Sequence, residues 1–143
     1  MSFTHDIALV SCVKGKKLTN APARDLYTSA LFHKMRSYAQ MQAGAWFILS
    51  AKYGLLHPDT VIEPYEQTLN TASTIDRKAW AEHVCQQIRS AHLIRPGTTI
   101  LWLAGRKYMD QLQPMLSGCV HANPMESMRF GQRLSWLNQQ LAQ

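Results

Sequence analysis

Three short segments of this chain combine small residues with a lysine or an arginine, a combination that can hold an anion. Small residues let a ligand approach the backbone, and the cations and free amides beside them attract negative charge. The segments therefore predict a site for a nucleotide or a nucleic-acid backbone. Their candidate binding residues are, in chain order, Ser11, Cys12, Lys14 and Lys17, then Ser50, Lys52, Tyr53 and Gly54, then Gly105 and Arg106.

The first segment lacks the glycine spacing and the Lys-Ser/Thr pair of a P-loop. Lys14 or Lys17 is predicted to contact a phosphate, and the alternative is a solvated basic loop. Cys12 could be a nucleophile only with a lowered pKa, for which the sequence offers no signal, so a small buried residue at the site is the better interpretation.

The second segment leads into a stretch rich in carboxylates and aromatic residues. Asp59 and Glu63 are the candidates for stabilising an oxocarbenium-like sugar or positioning water, and Lys52 completes the predicted catalytic set. Tyr53 and Tyr65 could stack on a base. The alternatives are that Asp59 caps a turn and that both tyrosines pack in the core.

The other cations and the histidines give weaker indications of function than these segments do. Arg129 and Arg133 lie four residues apart, on one face of a predicted helix, where they could touch phosphates or simply face solvent. The histidines show no metal-ligand spacing such as HExxH. We therefore expect neither a metal nor a cofactor.

The elements that position these residues follow from apolar runs and helical periodicity. Residues 6–12, 45–50 and 98–103 are predicted to be buried strands, with Val120 and His121 in a possible fourth. Helices are predicted over residues 25–41, 74–92 and 107–116 and from 125–128 onwards. This order predicts one α/β domain over residues 1–143, with three layers and a small, mainly parallel sheet of three to four strands flanked by helices. Right-handed crossovers would bring the three cationic strand ends to one edge.

The composition of the chain limits which class of partner and which cellular compartment we expect. The net charge of +6 favours an acidic partner, and 46% hydrophobic residues exclude a disordered chain. Three cysteines without CxxC spacing argue against a disulfide framework and for a reducing cytoplasm. We expect no signal peptide and no membrane span, and DNA or a nucleotide as the partner. The oligomeric state stays open.

Residues 49–59 (LSAKYGLLHPD) and 62–66 (IEPYE), with 9–14 (LVSCVK) and 26–32 (LYTSALF), form a distinctive pattern. The pattern resembles a bacterial and phage family of unknown function, DUF6884. It more distantly resembles YaaA-type peroxide-stress proteins and an accessory domain associated with archaeosine tRNA-guanine transglycosylases. The YaaA likeness implies DNA binding, and the transglycosylase likeness implies chemistry at an N-glycosidic bond.

Three functions follow as hypotheses. The first is an enzyme acting on a nucleobase or nucleotide, such as an N-glycosidase on DNA or on a modified nucleotide. The alternative is a non-catalytic DNA-binding protein of the stress-response kind. A small nucleotide-binding module within a larger assembly is the third.

Overall fold

The structure is a computed structural model, and it describes residues 3–11 and 16–142. This part of the chain forms seven strands and five α-helices, with one 3₁₀ helix at Gln113–Leu116. The strands are β1 His5–Ser11, β2 Ala21–Pro22, β3 Ala43–Ser50, β4 Gly54–Leu56, β5 Val61–Ile62, β6 Thr99–Leu103 and β7 Val120–Ala122. The helices are α1 Ala23–Leu26, α2 Ala30–Gln42, α3 Thr74–Ser90, α4 Arg106–Met109 and α5 Phe130–Leu141.

The main sheet confirms the predicted α/β class and adds strands to it. Its order is β4-β3-β1-β6-β7, in which β3, β1, β6 and β7 are parallel and β4 runs antiparallel to β3. The prediction of three to four strands was one short, because the chain reverses after β3 and forms β4. β2 and β5 pair separately as a small antiparallel sheet.

The helices cover both faces of the main sheet. The connection through α2 leads from β1 to β3 on one side, and the connection through α3 leads from β3 back across β1 to β6. Right-handed crossovers in opposite directions place α2 and α3 on opposite faces. α5 packs against α2, while α4 and the 3₁₀ helix pack against α3, which gives the three predicted layers. The buried residues form one contiguous core.

Two predicted helices are shorter than the sequence suggested. The helix expected over residues 25–41 is interrupted, because Ser29 caps α2 by accepting a hydrogen bond from the Phe32 N–H at 3.1 Å. Tyr27, which falls within that predicted helix, instead lies in the extended break between α1 and α2. The helix expected over residues 107–116 divides into α4 and the 3₁₀ helix, whose first turn contains Pro114.

Asp6 joins the amino-terminal ends of β1 and β6. Its carboxylate accepts hydrogen bonds from the Thr99 N–H at 2.8 Å and the Thr99 hydroxyl at 3.0 Å. The backbone hydrogen bond, followed by the one from the Thr99 side chain, lowers the pKa of Asp6 below its ordinary value of 3.8. The charged carboxylate is therefore favoured in the folded protein.

This shift predicts a pH dependence of stability. A carboxyl group with a lowered pKa contributes stability that is fully present above its ordinary pKa and is lost as the pH falls through the folded value. We expect Asp6→Asn to lose less stability than wild type between pH 6 and pH 3, as measured by the urea midpoint. Equal losses in the two proteins would contradict this assignment of Asp6.

Candidate functional site

The carboxyl-terminal ends of β1, β3 and β6 lie level at one edge of the sheet. The register pairs Ser11 with Leu49 and Val10 with Leu103. Because β1 and β6 lead to helices on opposite faces, their ends form the switch point beside which open α/β sheets bind ligands. There the Ser11 hydroxyl accepts a hydrogen bond from the Gly105 N–H at 3.1 Å, so two predicted site residues meet. Cys12 and Lys14 lie outside the described residues.

A buried chain of hydroxyl groups supports the end of β3. The Ser50 hydroxyl donates to the Tyr65 hydroxyl at 2.8 Å, and the Tyr65 and Tyr27 hydroxyls are 2.5 Å apart. The same Ser50 oxygen accepts from the backbone N–H groups of Lys52 at 3.3 Å and Tyr53 at 3.1 Å. Ser50 is fully buried, so its role is to hold the turn that carries Lys52 and Tyr53.

Two lysines lie over the aromatic rings of Tyr65 and Tyr53. The Lys16 ammonium nitrogen is 4.7 Å from the Tyr65 ring centroid, and the Lys52 nitrogen is 5.2 Å from that of Tyr53. Tyr65 is buried and meets the half-buried Tyr53 edge to face, so Tyr53 offers the more accessible ring. Lys17, a predicted phosphate contact, is exposed, and the position of its neighbour Lys16 over the Tyr65 ring was not predicted.

Gly54 supports the turn after β3 by allowing a close approach of α3. Its φ of +75° is left-handed, and a Cβ atom there would lie 2.3 Å from the Gln87 side-chain oxygen. That oxygen accepts from the Leu55 N–H at 2.8 Å, while the Gln87 amide donates to the Tyr53 carbonyl at 3.3 Å. Buried Gly54 thus lets α3 approach the turn closely, and its assignment as a ligand-binding residue stays a prediction.

The two predicted catalytic carboxylates lie in different surroundings. Asp59 forms an ion pair with Arg24 and lines a cavity beside Gly44 and Phe47, in the amino-terminal part of β3. The antiparallel return through β4 has carried Asp59 away from Ser50, the last residue of β3. Glu63 is exposed and lies two residues before Tyr65.

The predicted arginines surround the ends of β6 and β7. Arg106 is exposed and lines a cavity of about 340 Å³ together with Asn123, Glu126 and Arg133. Arg129 is exposed at the amino-terminal cap of α5 and is not among the described residues that line this cavity. Arg129 and Arg133 were both predicted to touch phosphates, and of these two only Arg133 lines the cavity.

Residues 7–139 match the model of a family of unknown function, DUF6884. The chain belongs to DUF6884. This confirms the family resemblance carried by residues 49–59. No curated protein matches the chain. The likeness of this DUF6884 member to YaaA-type proteins and to the transglycosylase-associated domain stays a prediction.

The described residues of the DUF6884 chain also bear on membranes and metals. None of their helices is long and apolar enough to cross a membrane. No group of three or more His, Cys, Asp or Glu residues among them could hold a metal ion.

One further contact in this DUF6884 member was not predicted from the sequence. The Trp80 indole N–H donates to the Ser50 carbonyl at 2.8 Å, and its ring packs edge to face on Tyr108. Trp80 lies in the helix predicted over residues 74–92, but helical periodicity does not reveal which strand end the inner face of that helix meets. Chemically, the edge offers cations, one accessible tyrosine ring and a rigid hydrogen-bonded support.

Proposed function

We propose that the protein is an enzyme directed at nucleobases or nucleotides, and that it hydrolyses an N-glycosidic bond. The observation that carries the proposal is the turn after β3. The Ser50 hydroxyl holds this turn by accepting hydrogen bonds from its backbone. The turn presents Lys52 and Tyr53 beside the Ser11–Gly105 contact of the neighbouring strands. An anion and an aromatic base can therefore be bound at one edge.

The binding groups divide naturally between phosphate and base. Arg106, directly after Gly105, supplies positive charge at the switch point, and Lys52 supplies it at the end of β3. The Tyr53 ring, half-buried and rigidly packed against Tyr65, provides a surface on which any base can stack. The phosphate would lie towards β6 and the base towards β3.

In the proposed reaction, Glu63 acts on the sugar or on water. Hydrolysis breaks the bond between C1′ and the base nitrogen as a water oxygen bonds to C1′. The Glu63 carboxylate takes up one proton of that water and afterwards returns it to solvent, and the departing base takes one proton from solvent at its nitrogen. Glu63 is assigned this role because it is exposed and lies two residues before Tyr65 in the chain, whereas Asp59 is engaged by Arg24.

Support for the reaction class comes from the resemblance to a transglycosylase-associated domain, and support for a cytoplasmic setting from the cysteines. Cys85 and Cys119 are free thiols in the described part of the chain. Free thiols are the usual state in a reducing compartment.

The test measures free base by chromatography after incubation with a panel of nucleotides, nucleosides and single-stranded DNA containing modified bases. We expect release from at least one nucleotide or DNA substrate, and at least about tenfold less from the matching nucleoside, because the charge-assisted contacts to phosphate are missing. No release across the panel would reject the enzyme. DNA binding without release would favour the non-catalytic DNA-binding alternative.

A further inference from the structure

Three arginines from different parts of the chain flank two neighbouring cavities at the carboxyl-terminal edge of β6. Arg106 and Arg133 line the cavity of about 340 Å³, and Arg106 and Arg77 line a second of about 240 Å³. Arg106 thus belongs to both cavities and separates Arg77 from Arg133. Lys107 also lines the second cavity and is the fourth cation of the two cavities together.

The two outer arginines are held in place by backbone carbonyls. The Arg77 Nε–H donates to the Leu69 carbonyl at 3.1 Å, and the Arg133 Nε–H donates to the Met128 carbonyl at 3.0 Å. Anchoring through Nε fixes each guanidinium group while leaving its two terminal nitrogens to bind a ligand. Such a planar pair of donors matches two oxygens of a phosphate.

The charge of these arginines is not balanced by direct ion pairs. Asp110 and Glu126 line the cavities, but the ion pairs within residues 3–11 and 16–142 have only Arg24, Arg36 and His57 as their basic partners. Both cavities therefore keep an excess of positive charge. A repeated anion, one in each cavity with Arg106 between them, is the ligand chemistry that this arrangement fits.

We propose that the substrate is a single polynucleotide strand, with consecutive phosphates bound in these two cavities. This rests on the proposed function, because the strand must deliver one base to Tyr53 at the end of β3. A base can stack on an aromatic side chain only when it is free of a duplex. The net charge of +6 favours the same class of ligand.

The experiment measures binding of the full chain to labelled oligothymidylates of two, four and eight nucleotides, with dTMP as competitor, over a range of salt concentrations. The variants are Arg77→Gln and Arg133→Gln. Arg95→Gln is the matched control, because Arg95 is exposed in the turn before the opposite end of β6 and its replacement changes the net charge equally. Thermal unfolding of each variant checks its fold.

We expect affinity to rise with oligonucleotide length and to exceed that of dTMP. Each cavity variant should bind about tenfold or more weakly at low salt, because the charged pair of donors to one phosphate is removed. The slope of log K against log salt should flatten by about 0.7 for each phosphate of the single strand that is no longer neutralised. Arg95→Gln should bind as wild type does.

Failure of this proposal can be distinguished from failure of the proposed enzyme. Three results would overturn the single strand as substrate and leave nucleotide hydrolysis standing. They are equal affinities for dTMP and the oligonucleotides, tighter binding of the matching duplex, and cavity variants that bind as Arg95→Gln does. Binding as expected, without release of any base, would support the strand and reject the enzyme. No binding of any probe would reject both.

Discussion

Glu63→Gln is expected to lower the rate of base release by about 10²- to 10⁴-fold, the range over which general acid–base groups contribute. The amide keeps the size of the side chain but can neither accept a proton from water nor stabilise a cationic sugar by its charge. Because Glu63 is exposed, the replacement removes little packing, and the thermal midpoint should stay close to that of wild type. Single-turnover release of free base is the measurement.

Two matched carboxylate replacements control this result. Asp59→Asn should retain base release and cost at most about 1 kcal/mol of stability, because it weakens only exposed ion pairs, those with Arg24 and His57. Glu82→Gln removes an exposed carboxylate from α3 and should be neutral in both assays. Loss of release in Asp59→Asn with full release in Glu63→Gln would reverse the assignment of the two acids.

Gly54→Ala is expected to lower the free energy of unfolding by about 2–4 kcal/mol. Part of this is the cost of about 1–2 kcal/mol for an L-residue in the left-handed region. The rest comes from displacing Gln87, whose side-chain oxygen would lie 2.3 Å from the new Cβ atom, together with its hydrogen bonds to Leu55 and Tyr53. Urea denaturation followed by circular dichroism measures the change.

A double-mutant cycle with Gln87→Ala separates the two causes. Without the glutamine, Gly54→Ala should cost only the backbone contribution of about 1–2 kcal/mol. An equal cost in both backgrounds would show that contact with Gln87 contributes nothing. A cost well below about 1 kcal/mol in wild type would contradict the left-handed conformation at Gly54.

The main parallel strands could be predicted because their cores are continuous apolar runs. β1, β3 and β6 lie where these runs indicated, and β7 includes the predicted Val120 and His121. β2, β4 and β5 have only two or three residues each, which is too short for a periodicity. Their pairing depends on tertiary contacts that local sequence does not encode.

Only part of the candidate site could be predicted, for the same reason. The parallel strand ends brought Ser11 near Gly105 as expected, because that proximity follows from the topology. The sequence did not reveal that β4 turns back along β3, so it did not predict that Asp59 would lie beside the amino-terminal part of β3. Arg77 lies on α3, far from Arg106 along the chain, and only the packing of α3 against α4 brings both to one cavity.

The short length of β4 has a consequence for association between molecules. β4 pairs with β3 only from Ile48 to Ser50, so the outer edge of residues 43–47 pairs with no strand in the described part of the chain. An uncovered edge can pair with a strand of another chain and seed aggregation. The cavity beside Gly44 and Phe47 is lined by Arg24 and Arg36, and charged groups at such an edge disfavour added strands. We therefore expect the Arg24–Asp59 ion pair to disfavour the addition of a strand from another chain at this edge.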